Sequence, residues 1–431
     1  MSDEFKIRTW DSKGLPQDWF RRGKTLDKLV KRDVESIIAE VRKNGDAALV
    51  KFTKKFDNAE VKAANLRVTP EEIQAAQCKV TKVQIRALEL MKAKVSSFER
   101  ANLKQASRSV VTDGNTLQSI LTPISSAGCY IPGGQAAYPS TVIMTTVPAK
   151  VAGVTRIVVC SPPDEGGNVN PLVLVACDIC GVEEVYRVGG VQSIAALAYG
   201  TQTIMPVCKI VGPGSKYVTT AKVLVSKDVA IDMPAGPSEV LVLADETANA
   251  KYVAADMVSQ AEHSADSVAG LITTSKKLAE EVAGWLKFMS GLVERGAIVR
   301  KALETSGFII VSATLGEMVE LANMFAPEHL EIMTKNPLGV VSRVATAGLI
   351  LIGPYSPVAL SDYGSGTNHV LPTGGFARSY SGLSVMDFIR RVSIVNYTRD
   401  GLQALRNHVK VMTDAENLPN HYKAVEARFE E

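Results

Sequence analysis

Apolar positions recur along this chain with two different rhythms. In residues 26–57, Leu29, Val30, Val34, Ile37, Ile38 and Val41 return at helical spacing, Gly45 interrupts, and the pattern resumes from Ala47 to Phe56. That spacing predicts two amphipathic helices broken at the glycine. Thr69-Pro70-Glu71-Glu72 predicts a helix start, with Thr69 as cap, Pro70 at the first helical position and Glu72 closing a capping box. Val83, Ile85, Leu88, Met91 and Val95 predict a further helix at about 81–100, and Val110 to Leu117 reads as a hairpin turning at Asp113-Gly114-Asn115.

From about residue 126 the rhythm becomes strand, glycine turn, helix, repeated. Ala127–Ile131 leads into Pro132-Gly133-Gly134, Arg156–Cys160 is a short apolar strand, Glu184–Val188 leads into Gly189-Gly190, and Cys208–Val211 into Gly212-Pro213-Gly214. Helices are predicted between them, near 142–151, 171–180, 191–199 and 216–225. Val240–Ala244, Val268–Ile272, Phe308–Val311 and Leu349–Ile352 continue the same texture. Short continuous apolar strands alternating with helices imply an α/β fold with parallel sheets covered on both faces. Ligands of such sheets bind at the carboxyl ends of the strands, where these glycine turns fall. The dinucleotide fingerprint Gly-x-Gly-x-x-Gly is absent, and Gly212-Pro213-Gly214 keeps only its first half, so spacing alone leaves nucleotide binding and simple turn closure equally open. After about 382 only Val392–Val395 is strand-like. Helices predicted near 383–391, 399–412 and 414–430 make a polar tail too thin to hold its own core.

Composition narrows the class. The 431 residues are 46% hydrophobic and 22% charged, with a formal charge of +3, which suits a globular chain of about two or three domains. The basic residues form no long run with interleaved aromatics, so nothing points to nucleic acid. The N-terminus lacks an apolar signal region and no stretch of about 18 apolar residues occurs, so no membrane partner and a cytoplasmic location are expected. Six cysteines lie mostly in apolar runs. The lone Cys177-x-x-Cys180 is read as two core residues of a buried helix, which fits a reducing compartment.

The candidate chemistry gathers around few residues. Met257–Ser264 reads as helix, so Gln260 and His263, three apart, share one face and could converge on one ion. The five histidines are 263, 329, 369, 408 and 421. His408 reads as an exposed helix residue. The others stand beside Glu328, in the loop Ser361-Asp362 to His369, and in Glu416-x-x-x-x-His421. Neither a nucleophile elbow nor His-Glu-x-x-His is present.

Seven ordered motifs add a resemblance: Gly-Cys-Tyr-Ile-Pro-Gly-Gly (128–134), Val-Gly-Gly-Val-Gln-Ser-Ile-Ala-Ala-Leu-Ala (188–198), Gly-Pro-Gly (212–214), Asp-Met-Pro-Ala-Gly-Pro-Ser-Glu-Val-Leu (232–241), Ser-Gln-Ala-Glu-His (259–263), Ala-Pro-Glu-His-Leu (326–330) and Ser-Gly-Thr-Asn-His-Val-Leu-Pro-Thr (365–373). From about residue 30 onward the chain resembles the histidinol dehydrogenase family. The resemblance implies oxidation of L-histidinol through L-histidinal to L-histidine, with two NAD and one zinc ion per subunit. It implies zinc held by Gln260, His263, Asp362 and His421, with His329 as general base and Glu328 activating water. Ser238, His369 and Glu416 would contact substrate alongside His329 and the metal-holding residues, and Tyr130, Gln192 and Ser215 would contact NAD. Ser215 stands where the family usually has asparagine. Ser264, and the segment Val358-Ala359-Leu360-Ser361 before Asp362, also depart from the common pattern.

The resemblance further implies two incomplete Rossmann-like domains: residues 130–238 inserted, and 25–129 with 239–382 packing as one. A segment 1–24 and a helical tail 383–431 complete the chain, in a homodimer whose tails complete each other's sites. The runner-up is a related zinc and NAD dehydrogenase of another small polar alcohol, such as a sulfonated diol. A binding module that has lost turnover would lack Glu328 or His329, and a zinc hydrolase would need a glutamate at protease spacing from a ligand pair.

Overall fold

The computed structural model describes residues 7–9, 28–106, 108–112, 115–133 and 137–430. The turn residues Asp113 and Gly114, Gly134, the last glycine of the first motif, and most of the segment 1–24 lie outside them. The helices are α1 (Lys28–Asn44), α2 (Asp46–Asp57), α3 (Pro70–Ala76), α4 (Lys82–Ala106), α5 (Pro139–Ala152), α6 (Pro171–Ile179), α7 (Gly190–Tyr199), α8 (Lys216–Val225), α9 (Ala250–Ala261), α10 (Lys276–Ser290), α11 (Gly296–Ser306), α12 (Leu315–Phe325), α13 (Pro337–Val341), α14 (Val358–Tyr363), α15 (Arg399–Ala415) and α16 (Pro419–Glu426). Gly45 breaks α1 from α2 at φ 54°, and Thr69 and Glu72 form the capping box at the start of α3.

Two parallel sheets form the body. The strands β4 (Ser126–Tyr130), β5 (Arg156–Cys160), β6 (Glu184–Tyr186), β7 (Lys209–Val211) and β8 (Ala230–Ile231) make a five-stranded sheet ordered β6-β5-β4-β7-β8. Its two faces alternate strictly. Ala127, Cys129, Ile157 and Val159 pack under α4, α5 and α6, while Val158, Cys160 and Ile210 pack under α1, α7 and α8. Cys177 and Cys180 are buried against the first of these faces as free thiols, which burial pushes up from their ordinary values.

The second sheet is ordered β1-β11-β10-β9-β12-β13, from β1 (Ile7–Thr9), β9 (Glu239–Ala244), β10 (Val268–Thr273), β11 (Phe308–Val311), β12 (His329–Met333) and β13 (Leu349–Ile352). Val240, Val242 and Ala244 face α9, α10 and α11, whereas Leu241 and Leu243 face α12 and α13. Such two-sided burial explains why these strands read as unbroken apolar runs.

The structure differs from the sequence expectation in two places. Residues 25–129 were expected to pack with 239–382, yet α1 and α2 rest on α7 and α8, and α4 rests on α5 and α6. Strand β4 also straddles the expected boundary at 129/130. An amphipathic face shows that a helix needs a surface, not which surface. The expected helix at 383–391 is instead a short 3-10 turn (Val385–Phe388) followed by β14 (Ile389–Asn396). β14 pairs antiparallel with Thr116–Pro123 of β3 (Asn115–Pro123), and β2 (Arg108–Thr112) completes a three-stranded sheet from the predicted hairpin. The tail helices α15 and α16 pack on each other, and Thr413 is their one buried residue.

Candidate active site

His329 opens β12 and Glu239 opens β9, and these strands are parallel neighbours with His329 level with Val240. Both therefore lie on the amino edge of the six-stranded sheet. The backbone of Glu239 clamps the Glu-His pair. Its N–H donates to Glu328 Oε2 at 2.7 Å, and its carbonyl oxygen lies 3.1 Å from His329 Nδ1. A carbonyl can only accept, so Nδ1 carries the proton and Nε2 the lone pair. His329 Nε2 is buried with no hydrogen-bond partner among the described residues, 3.9 Å from Asp362 Oδ1. In its neutral form this imidazole keeps Nε2 as its basic nitrogen.

The electrostatics separate two histidines. Burial disfavours the charged form of His329, but the carboxylates of Glu328 and Asp362 and the Glu239 carbonyl together hold it above its ordinary value. His369 feels the same Asp362 carboxylate, yet burial, with His329 beside it, pushes it below. His329 and His369 thus both feel the Asp362 carboxylate yet shift in opposite directions, an arrangement suited to proton transfer.

Gln260 and His263 do not lie on one continuous helix. α9 ends at Ala261, and His263 sits beyond it in a tight turn, its N–H donating to the Gln260 carbonyl at 3.3 Å. The two residues stay neighbours, with Gln260 buried and His263 exposed. Asp362 is half-buried near the end of α14, which packs on α9. Among the described residues no three His, Cys, Asp or Glu side chains form a metal-holding group. Glu416 closes α15 and His421 lies on α16, both exposed on the tail rather than gathered into the pocket.

The carboxyl edge of the five-stranded sheet has a different character. Tyr130 ends β4, buried, and its hydroxyl accepts from Gly190 N at 3.3 Å, while burial pushes the phenol up to about 12. Gln192, in the first turn of α7, is buried with neither side-chain polar atom partnered among the described residues. Ser215 is exposed at the start of α8 and makes no capping bond. α5 and α7 also lack a side-chain cap, whereas α6 is capped by Asn170, and α9, α10 and α12 by Asn249, Ser275 and Thr314. Uncapped N–H groups at this edge face outward as donors for an anion.

The turn at Gly212 is built for close approach. Its φ is 120°, and any side chain there would strike the Tyr130 backbone. Asp232 Oδ2 accepts from Gly212 N at 2.8 Å, Lys222 Nζ donates to Gly212 O at 2.8 Å, and the two buried side chains pair with each other. From Asp232 the chain runs through half-buried Ser238 straight into Glu239, joining the carboxyl edge of one sheet to the amino edge of the other. Asp232 and Glu239 both fall in the 232–241 motif, yet the resemblance assigns neither a role. The signal was two carboxylates inside apolar strand boundaries, which a folded chain tolerates only when bonded.

An α/β fold is thus defined, with a buried Glu-His pair clamped at the amino edge of one sheet and helix starts without side-chain caps at the carboxyl edge of the other. A sequence model of the histidinol dehydrogenase family matches residues 20–429. The histidinol dehydrogenase of Methanothermobacter thermautotrophicus is 46% identical over 92% of this chain and 92% of its own, and that of Methanocaldococcus jannaschii is also 46% identical over 92% of each. The crystal structure of histidinol dehydrogenase from Elizabethkingia anophelis superposes with a TM-score of 0.91 at 36% identity, covering 99% of this chain and 98% of that one. The chain belongs to the histidinol dehydrogenase family, NAD-dependent oxidoreductases of histidine biosynthesis. The sulfonated-diol reading finds no support among these relatives.

Proposed function

We propose that this chain carries out its family's oxidation of L-histidinol, through L-histidinal to L-histidine, on the Glu328–His329 pair at the amino edge of the six-stranded sheet. The observation that carries the reading is the Glu239 clamp, which fixes the tautomer of His329 and leaves Nε2 buried and unpartnered. In the first oxidation Nε2 takes the hydroxyl proton of the alcohol. NAD, when bound, accepts a hydride from the same carbon, and again in the second oxidation. Between them Glu328, whose Oε2 is held by Glu239 N, takes a proton from the water that adds to the aldehyde carbon. As the hydrate forms, His329 returns its proton to the former aldehyde oxygen, and its emptied Nε2 then takes a hydroxyl proton from the hydrate as the second hydride leaves, giving the carboxylic acid.

The finer assignments follow the same geometry. Gln260, His263 and Asp362 offer an amide oxygen, an imidazole and a carboxylate from the ends of two packed helices, a donor set that suits zinc and leaves positions for substrate nitrogens. A zinc ion held by these residues would orient histidinol. The carbonyl end of α9 favours that cation, while the uncapped starts of α7 and α8 favour the NAD pyrophosphate beside Tyr130, Gln192 and Ser215. Ser238 and His369 line the substrate pocket between the two edges.

His421 and Glu416 belong to a partner's site in this reading. The tail leaves Val392, Ile394, Val395, Val411 and Met412 exposed on β14 and α15, an apolar surface that a second subunit would cover. Among the described residues no helix is long and apolar enough to cross a membrane, and the free buried cysteines suit a reducing cytoplasm. The test is turnover of histidinol with NAD by the purified chain, with a sulfonated diol as control. Chelation should abolish activity, zinc should restore it, and far-ultraviolet circular dichroism should not change. Full turnover without a divalent metal would overturn the zinc assignment.

A further inference from the structure

A second pair of carboxyl groups lies directly behind the site. Glu331 is two residues along β12 from His329, so both side chains leave the same face of the sheet. Asp256 is one turn before Gln260 on α9, and Val358 is one turn before Asp362 on α14. Each of these three elements therefore carries one residue at the level of the site and one at the level behind it. At the rear level the residues meet. Glu331, 1% exposed, accepts from Val358 N at 3.0 Å through Oε1, and its carboxyl lies against that of Asp256. Its Oε2 is buried and finds no donor among the described residues.

Two carboxylates cannot face each other in a buried place with both charged, and neither alone supplies a donor. One proton between them resolves both difficulties. Burial pushes both groups up, Asp256 to about 6 and Glu331 well above the usual carboxylate range.

We infer that Glu331 and Asp256 share one proton and act as a positioning pair, tying the ends of α9 and α14 to β12 so that Gln260, Asp362 and His329 keep their mutual placement. Neither touches substrate in this arrangement. Glu331 also serves the first free N–H of α14, which has no side-chain cap of its own, so the orientation of Asp362 depends on it. The inference rests on Gln260 and Asp362 being zinc donors, as proposed above.

The experiment uses the full chain and reads zinc affinity, by competition with a chromophoric chelator, beside kcat and KM for histidinol. Gln260→Ala and Asp362→Ala serve as controls for the donor assignment. Glu331→Ala should keep its circular dichroism, yet weaken zinc binding by about 10- to 100-fold, as loss of groups supporting a ligand typically does. Glu331→Gln should restore zinc affinity and kcat/KM to within about threefold, because its oxygen still accepts from Val358 and its amide donates to an ionised Asp256.

Should Glu331→Ala fail to fold, Asp256→Ala removes the same bond from the half-buried partner and is read in the same way. If the controls lose zinc while the alanine variant of the pair keeps it, with only a lower melting temperature, the pair is structural and the inference is wrong. If Glu331→Gln is as impaired as Glu331→Ala, the shared proton is wrong. If the controls themselves keep zinc, the donor assignment fails, and the positioning role falls with it.

Discussion

The two parallel sheets share an architecture but use opposite edges. In the five-stranded sheet the glycine turns, Tyr130, Gln192 and Ser215 all lie beyond the carboxyl ends of the strands, as doubly wound sheets lead one to expect. In the six-stranded sheet His329 and Glu239 begin their strands, and Gln260 and Asp362 sit where helices finish. Helix polarity explains the difference. Every crossover helix starts at the carboxyl edge and ends at the amino edge, so one edge presents N–H groups and the other carbonyl groups. A pyrophosphate suits the first, and a metal ion with a cationic substrate suits the second, at about 0.3–1 kcal/mol for each helix end near the surface. The short run from Asp232 to Glu239 links unlike edges along the chain, and in the proposed reading one site draws on both.

That division of labour is most exposed to test at Glu328. Glutamine there keeps an oxygen to accept from Glu239 N, so the clamp survives while the ability to take a proton from water is lost. Glu328→Gln should still carry histidinol to the aldehyde level at a rate within about tenfold of the parent. Oxidation of supplied histidinal should fall by about 10²- to 10⁴-fold, the usual worth of a general base. Equal losses in both half-reactions would remove Glu328 from the water step.

The tail sets a second limit on the comparison, since neither edge of one chain includes His421. Glu416 and His421 sit on helices packed only lightly against the body, with Thr413 alone buried. If the tail completes a partner's site, His329→Ala and His421→Ala subunits should complement each other. A mixed dimer concentrates both lesions in one site and leaves the other intact. Random exchange of equal amounts should then restore about a quarter of parental activity. Exchange verified by mass with no recovery would place His421 in its own chain's site.

Much of this fold was legible in the sequence, because strands buried on both faces read as unbroken apolar runs and glycine turns punctuate them. The legible part of the site consisted of motifs. Glu328 and His329 stood out as adjacent unlike groups, and Asp362 and His369 by their glycine-rich loop. Only the middle of β14, Val392–Val395, was legible as strand. Seven of its eight residues are exposed in the single chain, so no alternation marks its full length, and its partner β3 lies far earlier in the chain. Glu239 escaped for another reason. It acts on Glu328 and His329 through its backbone, and a backbone role leaves no trace in side-chain spacing. Where α1 and α4 dock was also hidden, since amphipathicity fixes the buried face of a helix and not its receptor.

The smallest expected effect lies at Ser215, where the resemblance leads one to expect asparagine. Ser215 opens α8 in extended geometry, at φ −60° and ψ 168°, with its side chain exposed and no capping bond to its own helix. A hydroxyl there can reach a cofactor with one donor and accepts weakly, whereas an amide reaches further with separate donor and acceptor atoms. If this edge holds NAD, Ser215→Asn adds about one hydrogen bond, worth about 0.5–1.5 kcal/mol, so KM for NAD should fall by about 2- to 10-fold while kcat and KM for histidinol stay unchanged. Asparagine is also a strong N-cap, and it could instead turn inward to bond the open N–H groups of α8. That outcome would raise the melting temperature and leave KM for NAD where it was, separating helix capping from cofactor contact at Ser215.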